Sequence, residues 1–168
     1  MSNLLFGYLG SAILVFSMLV VTSKNPIHSV LWMILMFFHL ASLYLGLGAE
    51  FLAAIQIIVY AGAIMVLFLF VIFVLNIKEE MKGERFSAGW PIGLTLAAGL
   101  FLLTLIMTDT MLIGRKGTVT AEVLARETHT KAMGKLLYTD YILPFEVASL
   151  ILLVAIVGAI VLAKKKLD

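Results

Sequence analysis

Charge divides this chain more sharply than any other feature. Four stretches, Ser2–Ser23, Asn25–Ala49, Phe51–Ile77 and Phe86–Thr108, contain no Asp, Glu, Lys or Arg, and a fifth, Tyr141–Ala163, contains only Glu146. Each exceeds the roughly 18 apolar residues that mark a membrane-crossing helix. An isolated charge at the centre of such a helix costs about 2.5–3.5 kcal/mol on insertion scales, so the charges mark where the spans end. At 62% hydrophobic and 13% charged residues, with a mean hydropathy of +1.12, the chain has too little polar surface to cover a soluble globule. The sequence predicts an all-α, polytopic membrane protein with five transmembrane helices. It reads as a single membrane domain over 1–168, with spans at about 3–23, 27–47, 51–76, 88–109 and 141–163 and an extracytoplasmic loop at 110–140.

Orientation follows from the basic residues near the span ends, which cytoplasmic loops retain. Lys24 follows the first span, Lys78, Lys82 and Arg85 the third, and Lys164, Lys165 and Lys166 the fifth, all on one side. The opposite side carries an uncharged N-terminus, a tight Gly46-Leu47-Gly48 turn and the long loop, whose basic residues are diluted by length. The expected arrangement is N-terminus outside and C-terminus cytoplasmic. Nothing before Lys24 is basic and Val20-Val21-Thr22-Ser23 is no cleavage site, so the first span reads as a retained helix rather than a signal peptide.

The composition excludes several chemistries. With no cysteine, the chain offers no thiolate to an iron–sulfur cluster, and His28, His39 and His129 stand in no metal-ligand spacing. No glycine-rich phosphate loop and no nucleophile elbow is present. The net charge of +2 is used in orienting the spans, so nucleic-acid binding has no support.

Small residues four apart mark faces where membrane helices approach closely. Gly89, Gly93 and Ala97 do so in the fourth span, Ala155, Ala159 and Ala163 in the fifth, and Ser42 with Gly46 in the second. Ordinary packing accounts for each, but together they offer more contact surface than a five-helix monomer uses, which points to partner subunits. The 110–140 segment reads as a solvated connection with a short surface helix around 121–128. Asn25 is a good N-cap with Pro26 at the first helical position. His28 reads as a solvated surface residue and His39 as a hydrogen-bonding packer.

Polar groups within the spans are the candidate functional residues. On a regular helix Ala53, Gln56, Tyr60, Ala63 and Leu67 share one face. A buried phenol or amide without a partner costs about 1–3 kcal/mol, so Gln56 and Tyr60 are expected to meet other helices or water. Two readings stay open: interhelical hydrogen bonds, or the lining of a hydrated path. Gly62 costs about 1 kcal/mol against Ala in a helix and admits either close packing or a π-bulge. Glu146, two residues after Pro144, is either an interfacial carboxylate favoured by the helix dipole or one that handles protons or pairs with a partner.

The stretches "NPIHSVLW", "EFLAAIQIIVYAGAIMVLFLFVIFVLN" and "YILPFEVASLILLVAIVGAIVLAKK" resemble the subunit J family of the bacterial proton-pumping NADH:quinone oxidoreductase, respiratory complex I, equivalent to subunit 6 of the mitochondrial enzyme. The resemblance covers nearly the whole chain and is most specific in the third span. It implies a membrane-arm subunit that helps couple quinone reduction to proton translocation, located in the bacterial inner membrane. FMN, iron–sulfur clusters and the quinone site would lie in partner subunits, with no cofactor or metal in this chain. The family's "VYAGAIMVLF" segment places Tyr60 and Gly62 where the third helix switches between α and π forms, so that Val66, Leu67 and Phe70 would swing as an apolar plug. The family's carboxylate in the fifth span matches Glu146. Several relatives carry glutamate four residues before the tyrosine. Here the residue is Gln56, which donates and accepts but cannot carry charge. The equivalent chain of a membrane-bound hydrogenase or of a multisubunit cation/proton antiporter, or a purely structural helix-bundle subunit, are the alternatives.

Overall fold

The computed structural model describes residues 2–75, 90–111 and 127–164. The expected basic flank Lys78, Lys82 and Arg85, the lysines Lys165 and Lys166, and most of the helix expected at 121–128 lie outside these residues. The chain divides into two compact units, Met1–Thr120 and Ala121–Asp168. Among the described residues all regular structure is helical, and five helices are long and apolar enough to cross a membrane.

In the first unit, α1 (Asn3–Thr22) and α2 (Pro26–Gly46) form a hairpin. Ser2 caps α1 by accepting from the Leu5 N–H. The Asn25 carboxamide accepts from the Ile27 N–H at 3.0 Å while Pro26 occupies the first turn, where its missing N–H is no loss. Polar and aromatic rungs tie the two helices together. Ser29 Oγ donates to the Val20 carbonyl at 2.6 Å, Ser17 Oγ approaches Met36 Sδ at 3.2 Å, and Phe16 stacks on Trp32 with centroids 6.0 Å apart. Near the other end the Tyr8 hydroxyl lies 3.4 Å from His39 Nε2, and His39 Nδ1 lies 2.8 Å from the Leu35 carbonyl. A proton on Nδ1 donates to that carbonyl and leaves Nε2 to accept from Tyr8, so His39 packs through hydrogen bonds as expected.

The reversal after α2 is a Schellman turn: Ala49 N–H bonds the Tyr44 carbonyl and Gly48 N–H bonds the Leu45 carbonyl. Gly48 has φ +74°, a conformation glycine adopts without a Cβ penalty. The third span follows as three consecutive pieces: α3 (Glu50–Ile55), a π-helical segment (Gln56–Ile64) and α4 (Met65–Leu75). Val30 of α2, fully buried, joins Met65 and Ile72 in the core of this unit, surrounded by Ile27, Met33, Ile34, Phe37 and Leu69. α5 (Trp90–Met111) is the fourth span, and every described side chain from Trp90 to Met107 is exposed.

The second unit contains α6 (His129–Tyr138) and α7 (Ile142–Ala163). The 110–140 stretch therefore includes a ten-residue helix beyond the 121–128 position expected for one. Thr128 caps α6 by accepting from the Lys131 N–H, and Lys135 forms an ion pair with Glu127. The Lys135 ammonium beside Glu127, helped by Lys131, holds that carboxyl below its ordinary value. The apolar side of α6, with Ala132 buried, rests on the start of α7. There Tyr138 meets Phe145 edge to face at 5.1 Å, and Tyr141 N–H bonds the Leu136 carbonyl. No residue of α7 is buried, so this apolar helix needs lipid or other chains around it.

Candidate functional site

The third span departs from α geometry where the sequence places its glycine. Within Gln56–Ile64 the helix winds with i→i−5 bonds, and the junction with α4 is closed by one of them, from Met65 N–H to the Tyr60 carbonyl. The wide turn brings backbone onto backbone. A Cβ built on Gly62 would meet the Ile57 carbonyl oxygen, five residues earlier, at 3.3 Å, closer than ordinary van der Waals contact. Glycine suits this position because it has no Cβ to place there.

The π segment also decides which side chains face α2. Ala53 before it and Gln56 at its first position are buried, and Met65 and Ile72 are buried after it. Gln56 and Met65 are nine positions apart, which in an α-helix is about 900° of rotation, half a turn out of phase. The wider π turns take up the extra residues, so both sets reach the same side. The face expected on a regular helix is accordingly split: Ala53 and Gln56 face inward, whereas Tyr60, Ala63 and Leu67 are exposed. The expected single stripe assumed one uniform period through Gly62.

Gln56 is 5% exposed, the one buried polar residue among those described, and its side chain makes no hydrogen bond to a described residue. Tyr60, 45% exposed, packs its ring edge to face against Phe37 of α2 at 5.9 Å. Its hydroxyl likewise has no hydrogen-bond partner among the described residues. Val66, Leu67 and Phe70, in the first two turns after the π segment, are exposed on the side of α4 away from the core. Glu146 occurs in the second turn of α7 with an exposed side chain, and its carbonyl accepts from Ser149 Oγ at 2.7 Å. The structure thus brings Gln56, Tyr60 and Gly62 together within one irregular segment, and Glu146 belongs to the other unit. The Tyr8–His39 pair was not legible, because 31 residues separate its members and only the α1–α2 hairpin joins them.

Five helices long and apolar enough to cross a membrane, two of them without a buried residue among those described and the third carrying a nine-residue π segment, define a multi-pass membrane protein. A family model described as NADH-ubiquinone/plastoquinone oxidoreductase chain 6 matches residues 16–162. The chain is 40% identical over 165 residues to NADH-quinone oxidoreductase subunit J of Rickettsia typhi, covering 96% of this chain and 80% of that protein. It is 40% identical over 163 residues to NADH-ubiquinone oxidoreductase chain 6 of Marchantia polymorpha, covering 91% and 82%. The corresponding chain 6 of Sarcophyton glaucum is 36% identical over 163 residues, covering 97% and 84%. The chain belongs to the NADH-quinone oxidoreductase subunit J/chain 6 family and is a multi-pass membrane subunit of that oxidoreductase complex.

Proposed function

We propose that this chain helps couple quinone reduction to proton translocation through a gated water path at its third span. The observation that carries the proposal is the π segment itself, with Gly62 against the Ile57 carbonyl and Gln56 buried beside it. A π turn and an α turn differ by a slipped hydrogen-bond register, and relaxing one inserted residue rotates everything beyond it by about 100°. In the π form Val66, Leu67 and Phe70 point away from α2. On relaxation to α they move relative to Gln56 and Tyr60, so an apolar plug replaces or admits water. Gln56 and Tyr60 supply hydrogen bonds that orient that water. In lipid, backbone groups freed by such a slip are tolerated only where protein or water satisfies them, as a hydrated interior does.

Within the assembled complex, FMN, the iron–sulfur clusters and the quinone site belong to partner subunits, and this chain works by conformation alone. Other membrane and peripheral subunits cover α5 and α7. The N-terminus and the 110–140 segment face outward and Lys164 faces the cytoplasm of a bacterial inner membrane. Glu146, at the outward end of α7, is paired with a partner chain. The test is proton pumping and NADH oxidation by assembled complexes carrying Gly62→Val or Tyr60→Phe. Loss of coupled turnover with assembly intact supports the gate. Normal pumping by Gly62→Val returns Gly62 to a packing role.

A further inference from the structure

α2 carries an open groove bordered on one side by Trp32, which stacks on Phe16 of α1, and on the other by Ile34, which packs in the core with Met65 and Ile72 of the third span. It encloses about 470 Å³ and is lined by His28, Leu31, Trp32, Ile34 and Leu35, a size within the roughly 300–1,000 Å³ of small-ligand sites. The lining is graded along the helix axis. His28 is in the first turn, Trp32 about 6 Å further on and Leu35 about 10 Å further on, at 1.5 Å per residue. Lys24, exposed in the hairpin connection, stands just ahead of His28 in the chain. No Asp or Glu occurs anywhere between Ser2 and Ala49, so nothing in this hairpin neutralises Lys24. Trp32 is held in place by its stacking on Phe16, and its indole N–H makes no hydrogen bond to a described residue. A positive end, a tryptophan about one turn further on and an apolar run beyond it follow the order of headgroup, ester and acyl chain in a membrane lipid. Tryptophan and basic residues occupy the corresponding levels at membrane interfaces.

We propose that this groove holds one phospholipid with an anionic headgroup. Its phosphate meets Lys24 and His28, its ester carbonyl accepts from the Trp32 indole N–H, and one acyl chain lies along Leu31 and Leu35. The site is separate from the π segment and does not depend on the gate. The positive charge of Lys24 selects an anionic lipid over a zwitterionic one, and the stacked tryptophan is held in place without having to be ordered on binding.

The experiment uses the assembled complex, purified in mild detergent and washed until loosely held lipid is gone. Bound phospholipid is counted by native mass spectrometry and phosphate analysis. Leu31→Trp fills the groove and is expected to remove one phospholipid per complex. On re-adding lipid to delipidated complex, Lys24→Gln is expected to lower the preference for phosphatidylglycerol over phosphatidylcholine about fivefold. A photoreactive benzoylphenylalanine at Leu35 in otherwise wild-type complex is expected to form a phospholipid adduct, which decides the matter even if Leu31→Trp fails to assemble. An adduct to a partner polypeptide, an unchanged lipid count in assembled Leu31→Trp, or an unchanged headgroup preference in Lys24→Gln overturns the proposal.

Discussion

Replacing Gly62 by alanine perturbs the third span at one atom. The backbone-entropy advantage of alanine over glycine applies to any helical form and cancels between the α and π states. What remains is the contact at 3.3 Å between the new Cβ and the Ile57 carbonyl oxygen, which requires a shift of a few tenths of an ångström. In a regular α-helix that carbonyl bonds the N–H of Ala61 and alanine is the residue best accommodated. Overpacking a methyl group into an ordered site costs about 1–3 kcal/mol, and the modest clash here belongs near the lower end. About 1 kcal/mol against the π form changes its ratio to the α form by about fivefold. Gly62→Val adds two γ-methyls with restricted χ1 and biases the helix further. The assay is NADH-driven proton uptake by inverted membrane vesicles, read beside NADH oxidation and blue-native assembly. If the π form is needed in each cycle, coupled turnover falls up to about fivefold for Gly62→Ala and further for Gly62→Val, with the complex still assembled. Wild-type pumping by both variants would refute this reasoning.

Tyr60→Phe keeps the ring against Phe37 and removes only the hydroxyl, so it is expected to slow pumping less than Gly62→Val does, measured in the same vesicles. Glu146→Gln keeps shape and removes charge. It is expected to reduce activity or assembly more than Glu122→Gln, which lies outside the described residues, and equal behaviour of the two would leave Glu146 as an interfacial carboxylate. Single cysteines at Ser2 and Leu167 are expected to label from opposite faces of intact cells. Because Lys135 lowers the Glu127 carboxyl below its ordinary 4.5, the pair supports α6 above that pH and loses its contribution as pH falls through the lowered value. Protection of residues 129–138 against hydrogen exchange, corrected for the intrinsic pH dependence of amide exchange, is expected to fall with acid in the wild-type complex and to lose that dependence in Glu127→Gln.

Where the long apolar helices run could be read from charge alone, because the cost of burying a charge in lipid ends an apolar run abruptly. Expected spans at 3–23, 27–47, 51–76, 88–109 and 141–163 correspond to helices Asn3–Thr22, Pro26–Gly46, Glu50–Leu75, Trp90–Met111 and Ile142–Ala163. The glycine at 62 left close packing and a π-bulge both open, and the family resemblance pointed to the π form that the structure shows. The extent of that form was not legible. Ile57, Ile58, Val59 and Ile64 are apolar on every side, so no periodicity reveals that the π winding starts at Gln56 and carries Tyr60 and Leu67 away from Gln56. The helix His129–Tyr138 was missed for a different reason. Thr128 as a cap, followed by Ala132, Met133, Leu136 and Leu137 opposite Lys131 and Lys135, is an amphipathic signature, but Gly134 interrupts it and favoured reading the stretch as a connection.

The most direct measurement is the backbone register of the third span in the assembled complex, determined by electron cryomicroscopy at rest and during turnover with NADH and quinone. A working gate gives two registers: π winding through Gln56–Ile64 in one state, and continuous α winding in the other, with Val66, Leu67 and Phe70 rotated by about 100°. An identical register in both states, with the same side chains facing Gln56, would contradict it.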